Sequence, residues 1–406
     1  MAGNKGTKVK RKKYQLYKKR KSTARKIAEA AALIIVLGGL CFVGYSVADP
    51  LINYFRNLSQ NKPVVTEWTP DETTPSEQTT TAASDVTDTE ATTEAEAEAQ
   101  PLSFFLPDSA LDSASALSAA VKSAKASGYT AVYVTLKDTD GYLRYTTTEK
   151  TVKDTDLVTG KLSLKQIYSA INGAGLTPIA VMNTTLDSMT SAFVDDTAFR
   201  FDDDSYTWLD ARANEGGKRW SDPFRAGTKT YFSALSAEIA KSGFTQIVFA
   251  NTLFPEFTPY DKTVLNAHFF TETRYTALSA LVSSMAEAAS KNKATSMLEV
   301  KLSDVTGAKL SGTAELLLDK AGLSKMKIIV VFSDADFDDD ISDGDEKLNI
   351  SADTEKYIKS LFSAAKTALS GYELLPCIDS TGLSAETLEK MKTALKGMGY
   401  DEIAVK

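Results

Sequence analysis

The chain has 406 residues, of which 43% are hydrophobic and 24% charged, values typical of globular domains. Its net charge of −7 hides an asymmetry: residues 1–26 carry twelve Lys and Arg and no acid, and the remainder carries 34 basic against 53 acidic groups. This acidic main body excludes a nucleic-acid partner, because phosphate binding needs a cationic surface. With one histidine, His268, and two cysteines, a histidine-rich zinc site and a disulfide framework are also excluded.

The sequence of residues 27–49 predicts a transmembrane signal anchor. The lipid bilayer is therefore an expected partner of the protein. The uncharged run Ala30–Ala48 approaches the ~20 residues that cross a bilayer. The basic tail of residues 1–26 keeps the N-terminus in the cytoplasm, so we expect a single-pass cell-membrane protein with an extracytoplasmic C-terminal domain. The alternative is a cleaved signal peptide, although the apolar run exceeds the roughly 7–15 residues usual for one.

Residues 50–100 form a Thr- and Glu-rich segment with few large apolar side chains. Such a composition buries too little surface to offset chain entropy, and its like charges extend the chain. We therefore predict a disordered stalk that displays residues 101–406 away from the membrane.

Residues 101–406 alternate short β-branched runs with longer amphipathic segments. The predicted strands are Ser103–Leu106, Ala131–Lys137, Pro178–Met182, Gln246–Ala250, Ser296–Lys301, Lys327–Phe332, Glu373–Ile378 and Glu402–Val405. Eight strands alternating with helices predict an α/β fold, a (β/α)8 TIM-like barrel, and a doubly wound open sheet is the alternative. Because no GxGxxG or GxxxxGK[ST] motif follows a strand, nucleotide binding has no support.

Three motifs carry a resemblance to a known family. They are Trp220–Phe224 with Tyr231, Glu238, Gly243–Phe249 and Phe254–Pro255; Ala131–Tyr142; and Gly175–Val181. In order and spacing they resemble the glycoside-hydrolase-like barrel family of bacterial surface proteins, over roughly residues 101–406. The resemblance implies a TIM-like barrel with carboxylate chemistry at its mouth.

The sequence departs from this family at polar positions. The family's acids on the second and fourth strands are Thr135 and Ala250 here, its arginine on the third strand is Val181, and its next Tyr and Arg are Asn251 and Leu253. The motif residues that are kept mostly hold the scaffold. The resemblance therefore implies a retained fold with degenerate active-site motifs.

Other carboxylates are candidates for a relocated catalytic pair, since a glycosidase needs two. Strand alternation places Glu299 and Lys301 in the lumen, and Asp379 and Asp334 follow strands at the catalytic rim. The candidate catalytic residues are therefore Glu299, Asp379 and Asp334. The candidate substrate-binding residues are Lys137, Asp138, Trp220, Asp222, Asn251 and Lys301. The alternatives are a structural Glu299–Lys301 ion pair and aspartates that cap loops.

The segment Asp334–Glu346 holds eight acids in thirteen residues. Asp334, Asp336 and Asp338 match the first three ligand positions of an EF-hand, but Asp339 stands where that loop requires Gly. A calcium site is one interpretation, and a solvated acidic loop is the other. We expect no further cofactor.

Two functions therefore compete. The first is a non-catalytic or degenerate module that binds a cell-envelope polysaccharide or a surface partner, and the second is an active glycoside hydrolase. Some aromatic residues could stack on sugars or pack beneath the long third connection: Trp208, Trp220, Phe254, Phe257 and Tyr260. A purely structural envelope protein is a third interpretation.

Overall fold

The predicted alternation of strands and helices is present in the computed structural model. It describes residues 102–201, 206–265, 271–306, 323, 326–332, 341–343, 346–348 and 353–406. The predicted tail, anchor and stalk, together with His268, Asp334, Asp336 and Asp338, lie outside these residues. Within the part of the chain that is described, no helix combines the length and apolar character that crossing a membrane requires.

The described residues form ten strands, eight of which build a parallel barrel. The strands are β1 (Leu102–Phe105), β2 (Ala131–Lys137), β3 (Thr177–Asn183), β4 (Gln246–Ala250), β5 (Thr295–Lys301), β6 (Lys327–Phe332), β7 (Ile341–Asp343), β8 (Glu346–Leu348), β9 (Glu373–Ile378) and β10 (Ile403–Val405). The barrel closes in the order β1, β10, β9, β6, β5, β4, β3, β2, while β7 and β8 form a separate antiparallel hairpin. Closure confirms the barrel and excludes the open sheet.

Helices follow most barrel strands. They are α1 (Ala114–Ala126), α2 (Leu164–Gly173), α3 (Thr190–Phe193), α4 (Ala226–Lys241), α5 (Asp261–Val264), α6 (Thr271–Ser290), α7 (Leu302–Thr306), α8 (Thr354–Ala368) and α9 (Ala385–Gly397). Local sequence explains several of their starts. Ser113, Ser384 and Asp353 accept hydrogen bonds from backbone amides of the first turn, and Ser163 forms a capping box with Gln166.

Side chains of each strand alternate between two separate cores. The outer core packs the strands against the helices and includes Leu298 and Val300 of β5. The inner core fills the lumen with residues from all eight barrel strands: Phe105, Ala131, Tyr133, Ile179, Val181, Val248, Ala250, Met297, Ile329, Val331, Leu375, Cys377 and Ala404. A packed lumen closes the barrel below its mouth, so any site lies where the strands end at their carboxyl termini.

Candidate functional site at the barrel mouth

Glu299 is a nearly enclosed carboxylate in the described part of the barrel lumen. Leu298 and Val300 face the helices, so alternation turns Glu299 into the lumen, as the sequence predicts. Its side chain is 10% exposed, and its Oε1 lies 3.4 Å from Nζ of Lys406, just after β10. Its Oε2 is buried with no hydrogen-bond partner among the described residues. The partner of Glu299 is therefore Lys406, and not Lys301 as the sequence suggested.

Asp379 follows β9 and shares the electrostatic surroundings of Glu299. Burial opposes the charge of Lys406, but Glu299 and Asp379 outweigh that effect, so the pKa of this lysine is raised. Burial likewise raises the pKa of the Cys377 thiol, and the same two carboxylates add to the increase. Glu299 and Asp379 therefore both act electrostatically on one ammonium and one thiol at the end of the lumen.

The opposite side of the mouth carries no carboxylate at the family's positions. Val181 and Ala250 belong to the inner core, and Thr135 shares a face with Tyr133, which also lies in the lumen. These three residues occupy the places that the resemblance assigned to polar groups. The charges in the described part of the lumen mouth consequently lie at the ends of β5, β9 and β10, and the lumen-facing positions of β2, β3 and β4 carry no charge.

Two amide side chains join the ends of β2, β3 and β4. Nδ2 of Asn183 donates to the carbonyl of Lys137 at 2.9 Å, and Nδ2 of Asn251 donates to Oδ1 of Asn183. Asn251 adopts a left-handed backbone with a φ of 49°, a conformation that Asn tolerates better than most residues. The candidate substrate residue Asn251 thus sits half-buried on the rim.

The structure contradicts the expectation that Lys137 contacts a substrate. A bulge in β2 between Thr135 and Lys137 turns the lysine out of the lumen, and its ammonium lies 5.0 Å from the ring centroid of Phe232 on α4. It forms a 2.7 Å ion pair with Asp187, and both side chains are at most 1% exposed. A fully buried lysine offers no surface to a sugar, so its role in this conformation is internal pairing.

Asp138 shapes the loop that follows β2. Its Oδ1 accepts hydrogen bonds from the amides of Asp140, Gly141 and Tyr142 at 2.9–3.1 Å. Burial raises its pKa, and the three amides offset this only in part. This geometry fits the loop-capping interpretation of Asp138 better than a substrate contact.

Trp220 and Asp222 also face inward. Nε1 of Trp220 donates to Asp210 at 2.9 Å, and the tryptophan is 9% exposed. Asp222 is fully buried and accepts from the amide of Phe224 at 3.0 Å, and burial raises its pKa to about 7 despite the nearby Arg225. Asp222 therefore organises the start of α4 and is not exposed to a substrate.

The aromatic residues proposed for sugar stacking are mostly buried. Phe199 contacts Trp208, Phe254 and Phe257 at centroid distances of 5.6–6.2 Å beneath the connection between β3 and β4. This favours the packing interpretation for that cluster. Tyr260 differs, because 70% of it is exposed.

The retained motif residue Glu238 is structural. Its carboxylate on α4 accepts from the hydroxyl of Tyr145 at 3.1 Å, from Thr147 at 2.6 Å, and from both the amide and the hydroxyl of Thr148. Glu238 thereby fastens the β2–α2 connection to the outside of the barrel. As the resemblance implied, this part of the motif holds the scaffold.

The remaining candidates are Lys301 and the predicted calcium site. Lys301 ends β5 and is exposed. Across the residues with a described position, no group of three or more His, Cys, Asp or Glu is arranged to hold a metal ion. The calcium candidates Asp334, Asp336 and Asp338 lie outside those residues, so that prediction stays a prediction.

Sequence reasoning missed Lys406 and Asp187. Lys406 shares a strand face with the lumen residue Ala404, so the alternation that located Glu299 also locates it. Asp187 accepts from the amides of Met189 and Thr190, the pattern of an aspartate that caps a helical turn. Its pairing with Lys137 has no local signal, because 50 residues separate the two.

Comparison with solved structures shows the fold. The PgaB (BpsB) glycoside hydrolase domain from Bordetella bronchiseptica is 12% identical, with a TM-score of 0.50 over 76% of this chain and 93% of that one. The catalytic domain of beta-amylase from Paenibacillus polymyxa is 11% identical, with a TM-score of 0.48 over 75% and 91%. A search of curated proteins found no match.

Comparison with protein families shows that the chain is also related to a known family in sequence. The model of the family described as "Putative glycosyl hydrolase domain" matches residues 103–310, which is just over half of the chain. The match includes the three motifs together with Thr135, Val181, Ala250 and Glu299. With the closed barrel and the charged mouth, this match shows that the chain belongs to that glycosyl hydrolase domain family.

Proposed function

We propose that this domain binds a cell-envelope polysaccharide without cleaving it. The observation that carries the proposal is the mouth itself, where Thr135, Val181 and Ala250 leave the lumen-facing ends of β2, β3 and β4 without a carboxylate. On the other side, the nearly enclosed carboxylate of Glu299 is paired with Lys406 at 3.4 Å.

The side chains at the mouth do not match well the requirements of glycoside hydrolysis. A glycosidase uses two carboxyl groups about 5–5.5 Å apart for retention, or about 6.5–9.5 Å apart for inversion. One must deliver a proton, and the other must attack the sugar or activate water. Of the candidate carboxylates, Glu299 is already engaged by the ammonium of Lys406 at 3.4 Å. The lumen-facing positions Thr135 and Ala250, where the resemblance implies acids, supply no replacement.

Binding needs only directional polar groups around a concave surface. Asn251 and Lys301 lie at strand ends on the rim, and Asp379 follows β9 on the other side of the barrel order. Amide, ammonium and carboxylate groups are suitable partners for sugar hydroxyls. The proposed ligand is therefore a neutral or weakly charged polysaccharide.

We further propose that residues 27–49 anchor the protein in the cell membrane and that residues 50–100 carry the domain outside it. The basic tail and the acidic stalk support this orientation. Carbonate extraction of cell membranes should leave the protein in the pellet, and protease added to intact cells should release the domain. Release by carbonate, or full protection from protease, would contradict this part of the proposal.

The test of binding uses the full chain, purified in mild detergent and incubated with insoluble cell-wall polysaccharide. We expect the protein to sediment with the glycan without release of reducing ends. Asn251→Ala should weaken retention, whereas Glu389→Gln, at an exposed position on α9, should not. Absence of retention on every glycan tested would overturn the proposal.

An active hydrolase is the second candidate, favoured because Glu299 and Asp379 both raise the pKa of Lys406. Under this alternative the full chain releases reducing ends, and Glu299→Gln abolishes the release while Glu389→Gln preserves it. Asp379→Asn or Asp334→Asn should also abolish it, according to which aspartate is the partner of Glu299. Turnover that survives Glu299→Gln, or both aspartate substitutions, would remove this assignment.

A further inference from the structure

Two tyrosines stand out on the surface of the domain. Tyr206 is 71% exposed and Tyr260 is 70% exposed, and among the described residues no other large hydrophobic side chain is exposed. Burying a large aromatic side chain is favourable, so two exposed rings on connections that contact each other are a candidate contact surface.

Both tyrosines lie on connections that leave the barrel at its mouth. Tyr206 belongs to the connection after β3, and Tyr260 belongs to the one after β4. These connections are fastened to the rim, since the hydroxyl of Thr185, just after β3, donates to the carbonyl of Asn251 at 2.8 Å. Both connections therefore begin at the end of the barrel that holds Glu299.

The connections are also fastened to each other beside the tyrosines. Nε1 of Trp208, two residues after Tyr206, donates to Oδ1 of Asp261, the residue after Tyr260, at 2.9 Å. The rings of Trp208 and Phe257 lie 5.2 Å apart. A buried tryptophan thus joins the backbones that carry the two exposed rings, so little conformational entropy remains to be lost when a ligand binds.

The local hydrogen bonds hold each tyrosine backbone in place. The carbonyl of Tyr206 accepts from the amide of Phe201 at 3.1 Å, and the carbonyl of Tyr260 accepts from the hydroxyl of Thr263 at 2.7 Å. The amide and hydroxyl of Thr258 both bond to Asp261. The phenol rings are therefore presented from ordered backbone.

The surroundings of the rings favour a sugar chain over a protein. A protein interface buries about 800 Å² on each partner around an apolar centre. Here the neighbours in sequence are polar or charged, such as Thr207 and Glu256. Separate aromatic rings among hydrogen-bonding groups fit the pyranose units of a polysaccharide, because each sugar has an apolar C–H face and a rim of hydroxyls.

We propose that Tyr206 and Tyr260 form a glycan-binding platform beside the barrel mouth, on which pyranose rings of one polysaccharide chain stack. This inference rests on the proposed function, since it locates part of the polysaccharide binding that the function requires. It assigns the main apolar contact to the two tyrosines. The polar groups at the barrel mouth then orient the sugar chain.

The experiment compares the full chain in mild detergent with two double variants. Tyr206→Ala with Tyr260→Ala removes both rings, and Tyr206→Phe with Tyr260→Phe keeps the rings without the hydroxyls. Lys262→Ala serves as a neighbouring control. The probes are purified cell-wall polysaccharide, chitin and cellulose, and the readout is the dissociation constant from co-sedimentation. Thermal unfolding verifies that each variant remains folded, as expected for exposed positions.

We expect the alanine pair to weaken binding by about tenfold or more, the usual effect of truncating an aromatic anchor. The phenylalanine pair and Lys262→Ala should stay within about twofold of the parent protein, because stacking uses the ring face. Parent binding that the alanine pair leaves unchanged overturns the platform alone. A parent protein that binds none of the three glycans overturns the proposed function and the platform together.

Discussion

Nζ of Lys406 lies 3.4 Å from Oε1 of Glu299, so the end of the barrel's last strand supplies the counterion of a carboxylate on β5. The glutamate is 10% exposed, whereas the lysine is 42% exposed. Nζ of Lys406 also lies 5.1 Å from the ring centroid of Phe105. One lysine therefore joins β1, β5 and β10 across the mouth, and its charge decides how much negative potential the mouth presents.

The first prediction concerns the strength of this pair. Lys406→Met leaves the enclosed Glu299 without its counterion, which should lower the free energy of unfolding by about 1–2 kcal/mol at pH 7, since the lysine is partly solvated. Glu299→Gln combined with Lys406→Met should recover part of the loss. A double-mutant cycle from urea unfolding measures the coupling. The exposed pair Glu386–Lys390 provides the control, and equal coupling in both pairs would show that enclosure adds nothing.

The pH dependence of this pair follows from the raised pKa of Lys406. A lysine whose folded pKa exceeds its unfolded value contributes stability that is fully present below the unfolded value of about 10.4. That contribution is lost as the pH rises through the folded pKa. The stability advantage of the parent over Lys406→Met should therefore be constant between pH 7 and pH 9 and decline above about pH 10.

The second prediction concerns Asp222, whose pKa burial raises to about 7. Its unfolded value is near 3.9, so between about pH 4 and pH 7 the folded state holds a proton that the unfolded state releases. Stability from this group is present at pH 4 and is lost as the pH rises to 7. Asp222→Asn keeps an acceptor for the amide of Phe224 and cannot titrate. We expect its stability relative to the parent to increase by a few kcal/mol over this range.

Urea unfolding at several pH values between 4 and 8 measures this difference directly. Asp210→Asn, at another aspartate of the same connection, controls for general changes in charge. A stability difference between Asp222→Asn and the parent that stays flat would mean that Arg225, 3.5 Å from Asp222, fully compensates the burial.

The eight barrel strands could be predicted from sequence because they are short, mostly rich in β-branched residues and bounded by turns. Alternation also predicted that Glu299 faces the lumen, since one face of β5 is continuously apolar. Lys137 could not be placed in this way. The bulge after Thr135 reverses its direction, and a bulge depends on the partner strand as much as on the local residues.

The aromatic residues illustrate a second limit of prediction from sequence. Trp208 and Tyr260 both occur in long polar connections, and nothing local distinguishes the ring that is 2% exposed from the ring that is 70% exposed. Their difference arises from packing between two connections that are distant in sequence. Composition therefore located the aromatic residues, while their burial depended on the tertiary fold.

The third prediction concerns the close approach of Gly141 to the side chain of Asp187. A Cβ on Gly141 would overlap Oδ1 of Asp187, and the φ of 106° already disfavours any other residue. Gly141→Ala should displace Asp187 from Lys137 and destabilise the domain by about 3 kcal/mol or more, as expected when a buried pair is broken. Gly128→Ala is the matched control, because its φ is 83° and a Cβ there meets no atom within 4 Å. It should cost only about 1–2 kcal/mol of backbone strain.

The fourth prediction concerns Glu238, the retained motif residue whose carboxylate receives four hydrogen bonds. Glu238→Ala strips the buried Tyr145 hydroxyl of its acceptor and frees the connection that carries Thr147 and Thr148. Hydrogen bonds to a charged group contribute about 1.5–3 kcal/mol each but are not additive, so we expect a total loss of about 2–4 kcal/mol. Hydrogen exchange should show the amide of Thr148 losing protection while the amides of β5 keep theirs.

Glu238→Gln refines this test, because the glutamine amide keeps one acceptor oxygen and replaces the other with a donor. It should retain about half of the stabilisation, since the remaining oxygen can keep both bonds from Thr148 while the nitrogen cannot accept from Tyr145 and Thr147. Unchanged polysaccharide retention in both folded variants would agree with a scaffold role. Loss of retention at full stability would instead give Glu238 a part in binding, although its carboxylate lies on the outside of the barrel.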